Sequence, residues 1–100
     1  MTQEKSSIKE HLRTRFNEPH LYRVTMFNDD FTTMDFVVEV LIQVFGKSND
    51  EAQALMLTVH QKGKAVVGIY SLDIAMTKAA IATQMARQNN FPLKFEIDKE

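Results

Sequence analysis

Asn28, Asp29 and Asp30 stand in a row, followed after Phe31 by the hydroxyls of Thr32 and Thr33 and then by Met34. An amide, two carboxylates and two hydroxyls beside a methionine suit a small cation held next to an apolar side chain. The amino terminus of a peptide is such a ligand, because an ammonium offers three donors and is costly to bury without acceptors. A second segment, Met56-Leu57-Thr58-Val59-His60-Gln61-Lys62-Gly63, sets a methionine and a histidine four residues apart. An amide oxygen, a carboxylate and a neutral imidazole nitrogen are all acceptors for an ammonium.

Each group also has an ordinary role. Asn and Asp make turns by bonding to nearby backbone, and acids near a helix start favour the dipole, as an imidazolium does near a helix end. Met34 would then be a helix-start residue packing as a staple, and Met56 and Val59 would be core. A calcium loop places more oxygen ligands, at alternate positions; here two adjacent carboxylates and an amide stand alone, so no metal and no cofactor are expected. Catalysis by a histidine wants a nucleophile, yet the chain has no cysteine and Thr32 and Thr58 are unremarkable hydroxyls, so an enzyme is not expected.

The elements that must position these residues follow from periodicity. Leu21–Phe27 alternates, with Tyr22, Val24 and Met26 on one face, and reads as a strand. Thr32 with Asp35 is a weak capping box opening a helix whose stripe is Phe36, Val37, Val40, Leu41 and Val44, ended by Gly46. Ser48 with Glu51 is a better box, starting a helix with Ala52, Leu55, Met56 and Val59 inward and Gly63 at its end. Lys64–Tyr70 is β-branched and apolar and reads as a central strand. Ser71 caps a third helix carrying Ile74, Ile81 and Met85, with Ala75, Ala79 and Ala82 allowing close approach, until Asn89-Asn90 breaks it. The last strand is Phe91–Ile97, begun at an edge because Pro92 cannot donate to a ladder.

The expected fold is α+β: a small three-stranded antiparallel sheet with three helices packed on it, in the order β-α-α-β-α-β. One hundred residues with 44% apolar content suit one domain. Residues 1–19 read as a flexible tail in which only Ile8, Leu12 and Phe16 recur at spacing four, and residues 20–100 as the core domain. Twelve basic against thirteen acidic residues leave a net charge of −1 and no basic patch for nucleic acid. Met1–Phe16 lacks the apolar centre of a signal peptide, and no run approaches the roughly 20 apolar residues that span a bilayer. A monomeric, cytoplasmic protein with no membrane partner is expected.

Three segments then carry a resemblance. Val24-x-Met26-Phe27-Asn28-Asp29-Asp30-Phe31-Thr32-x-Met34-Asp35-Phe36-Val37 closely resembles the N-terminal part of the bacterial ClpS adaptor family. Ala54-x-Met56-Leu57-x-Val59-His60-x-x-Gly63-Lys64-Ala65 resembles its second signature, and Ala75-x-Thr77-Lys78 a third. The likeness runs from about Leu21 to Ile97.

The resemblance implies an adaptor of the N-end rule that binds proteins starting with Leu, Phe, Tyr or Trp and delivers them to the ClpA chaperone of the ClpAP protease. By family likeness Asn28, Asp29 and His60 would hold the free α-amino group. Thr32, Met34, Val37, Met56, Val59 and Leu93 would line the pocket for the first side chain. Asp73 and Lys78 match positions on the face that meets the chaperone's N-terminal domain. Three positions depart from the family pattern: Thr33 stands where proline is usual, Phe27 where a smaller aliphatic residue is usual, and Met76 where a more polar one is usual. The alternative is a protein-interaction domain like that of the ribosomal stalk, binding translation factors, though the second helix lacks the lysine-rich face such a domain would use.

Overall fold

A computed structural model describes residues 20–100. The expected tail, with Ile8, Leu12 and Phe16, lies outside the described residues. The elements run β1 (Tyr22–Phe27), α1 (Met34–Gln43), α2 (Asn49–Lys62), β2 (Lys64–Tyr70), α3 (Leu72–Gln88) and β3 (Lys94–Lys99). The strands form one antiparallel sheet in the order β2-β1-β3, so the fold is the expected α+β arrangement.

Alternation in β1 does what a period of two requires. Val24 and Met26 are fully buried beneath the helices, while Arg23 and Thr25 face the other way. The α1 stripe also packs as expected: Phe36, Val37, Val40 and Leu41 are buried on one side of the helix. Ser48 and Glu51 close a reciprocal capping box on α2, with Glu51 N–H donating to Ser48 Oγ and Ser48 N–H donating to Glu51 Oε1, both at 3.1 Å. From α2, Ala52, Met56 and Val59 complete the core.

Four expectations are corrected. The central strand is β1, not Lys64–Tyr70; β2 is an edge, with Val66 and Ile69 exposed despite their apolar character. In α3 the buried residues are Ala75, Ala82 and Ala86, whereas Ile74 and Ile81 are about half exposed. A helix lying close on a sheet meets it through its smallest side chains, which turns its larger residues outward. The last strand begins at Lys94 rather than Phe91, because Asn90 takes a left-handed φ of 62° and the chain stays irregular through Leu93. The cap of α1 is Thr33, not Thr32.

Candidate functional site

Two chain reversals bring the distant motifs together. α2 ends at Gly63, whose φ of 89° favours glycine, and its N–H donates to Val59 O at 2.9 Å. The chain turns there straight into β2, so that Lys64 lies opposite Phe27 at the end of β1. One residue further along, the N–H of Asn28 donates to Gly63 O at 2.9 Å. His60, in the last turn of α2, is thereby carried to the loop that follows β1.

That loop is organised by Asp29. Its Oδ1 accepts the N–H of Phe31 at 2.8 Å and of Thr32 at 2.7 Å, and its Oδ2 accepts the Thr32 hydroxyl at 2.7 Å. Partial burial pushes the Asp29 carboxyl up. The bonds from the N–H and hydroxyl of Thr32, the bond from the Phe31 N–H and the charge of Arg87 together outweigh that effect and hold it below its ordinary value. With Thr32 so engaged, the cap passes to Thr33, whose Oγ1 accepts the N–H of Phe36 at 3.2 Å. A proline, usual at this place in the resembled family, has no hydroxyl to make that bond. Thr33 therefore gives α1 a side-chain cap that a proline there would lack.

The first turn of α1 and the last two turns of α2 then face each other across a cavity of about 250 Å³. Its walls are Met34 and Val37 from α1, Met56 and Val59 from α2, and Thr32; Asn28, Asp29, Asp30 and His60 line its polar part. Residues three and four apart share a helix face, which is why Met34 pairs with Val37 and Met56 with Val59 and His60. The volume is below the roughly 300–1,000 Å³ of sites for drug-sized molecules. It suits one side chain.

Eight of the nine residues expected at the amine and pocket positions therefore meet around one cavity. Leu93 does not line it; it is 1% exposed and belongs to the core. Asp29 lines it, yet three hydrogen bonds commit its carboxylate to the loop. Asp30 belongs to the polar cluster seen in the sequence, but the amine-binding set implied by the resemblance leaves it out. It is exposed, lines the cavity beside Asn28, and its carboxylate takes no part in the bonds that organise the loop. Two adjacent aspartates gave no means of telling which one the turn would consume. Among the described residues no group of three or more His, Asp or Glu is placed to hold a metal ion.

Asp73 and Lys78 lie elsewhere, on a wider groove of about 660 Å³ between α1 and α3. Gln43, Val44, Ile74, Thr77, Ile81 and Met85 also line it. Lys78 is half buried there: its Nζ donates to Val44 O at 2.8 Å and lies 5.4 Å from the centre of the Tyr70 ring. It thus supplies the cation that the last turn of α1 lacks. Met76, the third departure, is 54% exposed on the same helix. Phe27 holds its ring 5.5 Å from Lys94 Nζ. No helix among the described residues is long and apolar enough to cross a membrane.

Comparison with known proteins identifies the family and the fold. Residues 17–96 match the family model described as ATP-dependent Clp protease adaptor protein ClpS. The ATP-dependent Clp protease adapter protein ClpS of Acetivibrio thermocellus is 47% identical over 97 residues, covering 97% of this chain and 98% of its own length. The protein of the same name from Treponema denticola is 54% identical over 85 residues, 85% of this chain and 84% of its own. Among solved structures, Agrobacterium tumefaciens ClpS2 bound to L-phenylalaninamide superposes with a TM-score of 0.79 at 44% identity, covering 82% of this chain and 99% of that one. With four-fifths of its length matched by the family model, and relatives this similar over nearly their whole length, the chain belongs to the ClpS family of Clp protease adaptors.

Proposed function

We propose that the cavity binds the free amino terminus of proteins that begin with a bulky hydrophobic residue (Leu, Phe, Tyr or Trp), and that the domain delivers them to a ClpA-type chaperone for degradation by ClpAP. The observation that carries this reading is the placement of unengaged acceptors on one side of a cavity sized for one side chain, with Met34, Val37, Met56 and Val59 on its other walls. Asn28 Oδ1, the Asp30 carboxylate and an imidazole nitrogen of His60 surround the ammonium, and Asp29 holds the loop that presents them. Met34, Val37, Met56 and Val59 surround the first side chain. The relative solved with L-phenylalaninamide supports a ligand of this chemistry.

The magnitudes are adequate. Burying a Leu or Phe side chain contributes roughly 1.5–3 kcal/mol. A hydrogen bond to a charged group adds on the order of 1.5–3 kcal/mol. Both terms are needed for useful affinity, which makes the site selective for a first residue that is at once apolar in its side chain and free at its amine. Titrating the ¹⁵N-labelled domain with L-phenylalaninamide tests the placement. The amide resonances of Asn28, Asp30 and His60 should move with saturation, while those of Asp73 and Thr77 stay fixed; movement confined to the α1–α3 groove would reject it.

The α1–α3 groove is the surface for the chaperone. Asp73 and Lys78 lie on it beside exposed Ile74 and Ile81, so it offers both charges and apolar area to the chaperone's N-terminal domain. Its separation from the cavity lets substrate and chaperone be held at once. Residues 1–19 act in the hand-over rather than in binding. Deleting residues 2–17 should leave peptide affinity unchanged and slow degradation of a Phe-initiated reporter by reconstituted ClpAP; delivery at the full rate would remove that role.

A further inference from the structure

Arg87, in the last turn of α3, fastens a segment that no part of the binding cavity accounts for. Its Nη1 donates to Phe91 O and to Leu93 O, both at 2.8 Å. The two carbonyls belong to the irregular stretch after α3, where Asn90 is left-handed and Phe91 N–H donates to Ala86 O at 2.8 Å. This stretch sets the Phe91 ring against Phe36, with centroids 5.0 Å apart and planes inclined at 57°. Phe36 is buried in the first turn of α1, and its N–H is the one bound by Thr33. Leu93, held through its carbonyl, fills the core nearby at 1% exposure.

A chain of contacts therefore runs from the guanidinium through Phe91 to Phe36, and from Phe36 to Thr33 and the start of the helix bearing Met34 and Val37. A second, lesser influence reaches the same loop through space, since the charge of Arg87 is the smallest of the effects that favour the ionised form of Asp29. Both influences end on the residues that shape the cavity. We propose that Arg87 is a positioning residue of the substrate site: it fixes the Phe91–Leu93 segment beneath the first turn of α1, and so sets the α1 wall and the Asp29 loop without touching substrate. The proposal rests on the first-residue reading of the cavity.

A basic side chain in a last helical turn also suits the helix dipole. A residue with that role alone would change melting temperature and leave affinity of the folded protein unaltered. Arg87→Met and Arg87→Lys separate the two, because lysine keeps the charge but lacks the planar fork that spans two carbonyls. Calorimetric titration with L-phenylalaninamide, well below each variant's melting temperature, should show Arg87→Met weakened about tenfold, the equivalent of one net hydrogen bond. Arg87→Lys should recover roughly half of that loss on a logarithmic scale. The amide resonances of Phe31 and Thr32 should shift in Arg87→Met and return toward their wild-type positions in Arg87→Lys.

Should Arg87→Met fail to fold, Arg87→Lys carries the test, with a predicted loss of roughly threefold. A wild type that ignores the amide overturns the reading of the cavity and this proposal with it. A wild type that binds, with folded Arg87 variants binding as tightly and Phe31 and Thr32 unmoved, overturns the role of Arg87 alone.

Discussion

The backbone N–H of Asn28 donates to the carbonyl of Gly63 at 2.9 Å, across 35 residues of sequence. This bond joins the loop after β1 to the end of α2, and it places the Asn28 amide and the His60 imidazole on one cavity. Neither motif forms a site by itself. The turn at Gly63 and the pairing of Phe27 with Lys64 make them one.

Asn28, Asp30 and His60 are exposed, so their removal should affect binding rather than folding. Asn28→Ala, Asp30→Ala and His60→Ala are each expected to weaken a Phe-initiated peptide by on the order of 1–3 kcal/mol. Melting temperatures should stay at the wild-type value. The check is a melt and a titration on each variant; a lowered melting temperature with unchanged affinity would assign the residue to structure instead.

Asp29 should behave the opposite way. An acid whose folded value is depressed stabilises the fold above its unfolded value, and that stabilisation is lost as pH falls through the folded value. Asp29→Asn keeps an oxygen acceptor but loses the charge, while Asp30, His60 and Arg87 remain around it. Loss of about 1 kcal/mol at neutral pH would lower the melting temperature by roughly 4–8 °C in a domain of this size. The gap between wild type and Asp29→Asn should narrow as the pH is lowered beyond about 4, where unfolded carboxylates protonate. Melting curves across acid pH decide it, and a gap that ignores pH would show that charge has no part in the loop.

Met34, lining the cavity at 43% exposure, is placed to filter first residues. A branched Cβ would bring a methyl group toward the backbone, where it would meet the methionine side chain. Met34→Ala should admit Ile- and Val-initiated peptides while losing some contact with Leu and Phe. Methyl-sized differences in apolar pockets amount to roughly 1–3 kcal/mol. Unchanged ranking of the four peptides on the variant would remove Met34 as the filter.

The elements built on a strong period were legible: Val24 and Met26 in β1, the α1 stripe, and the Ser48–Glu51 box with Gly63 closing α2. The failures share a cause, which is that apolar character does not state where a residue faces. Val66 and Ile69 suggested a central strand, yet β2 is an edge. In α3 the close approach of Ala75 and Ala82 was legible, but Ile74 and Ile81, set beside them in the reading, face outward. Resemblance located eight residues around the cavity by matching motifs. It did not reveal that Thr32 would be drawn to Asp29, leaving Thr33 as the cap and Asp30 as the unengaged carboxylate. Those roles follow from hydrogen-bond geometry, which adjacent residues of one type do not encode.

Binding of one peptide, Phe-initiated and labelled at its far end, compared with its N-acetylated twin tests the central claim most directly. Acetylation leaves the Phe side chain intact, removes the positive charge and two of the three donors, and adds bulk where Asn28, Asp30 and His60 converge. Fluorescence anisotropy should show saturable binding of the free peptide and none of the acetylated one over the same concentrations. Equal affinity for the two would mean that the apolar cavity alone recognises the side chain, and the amine-binding site described here would be contradicted.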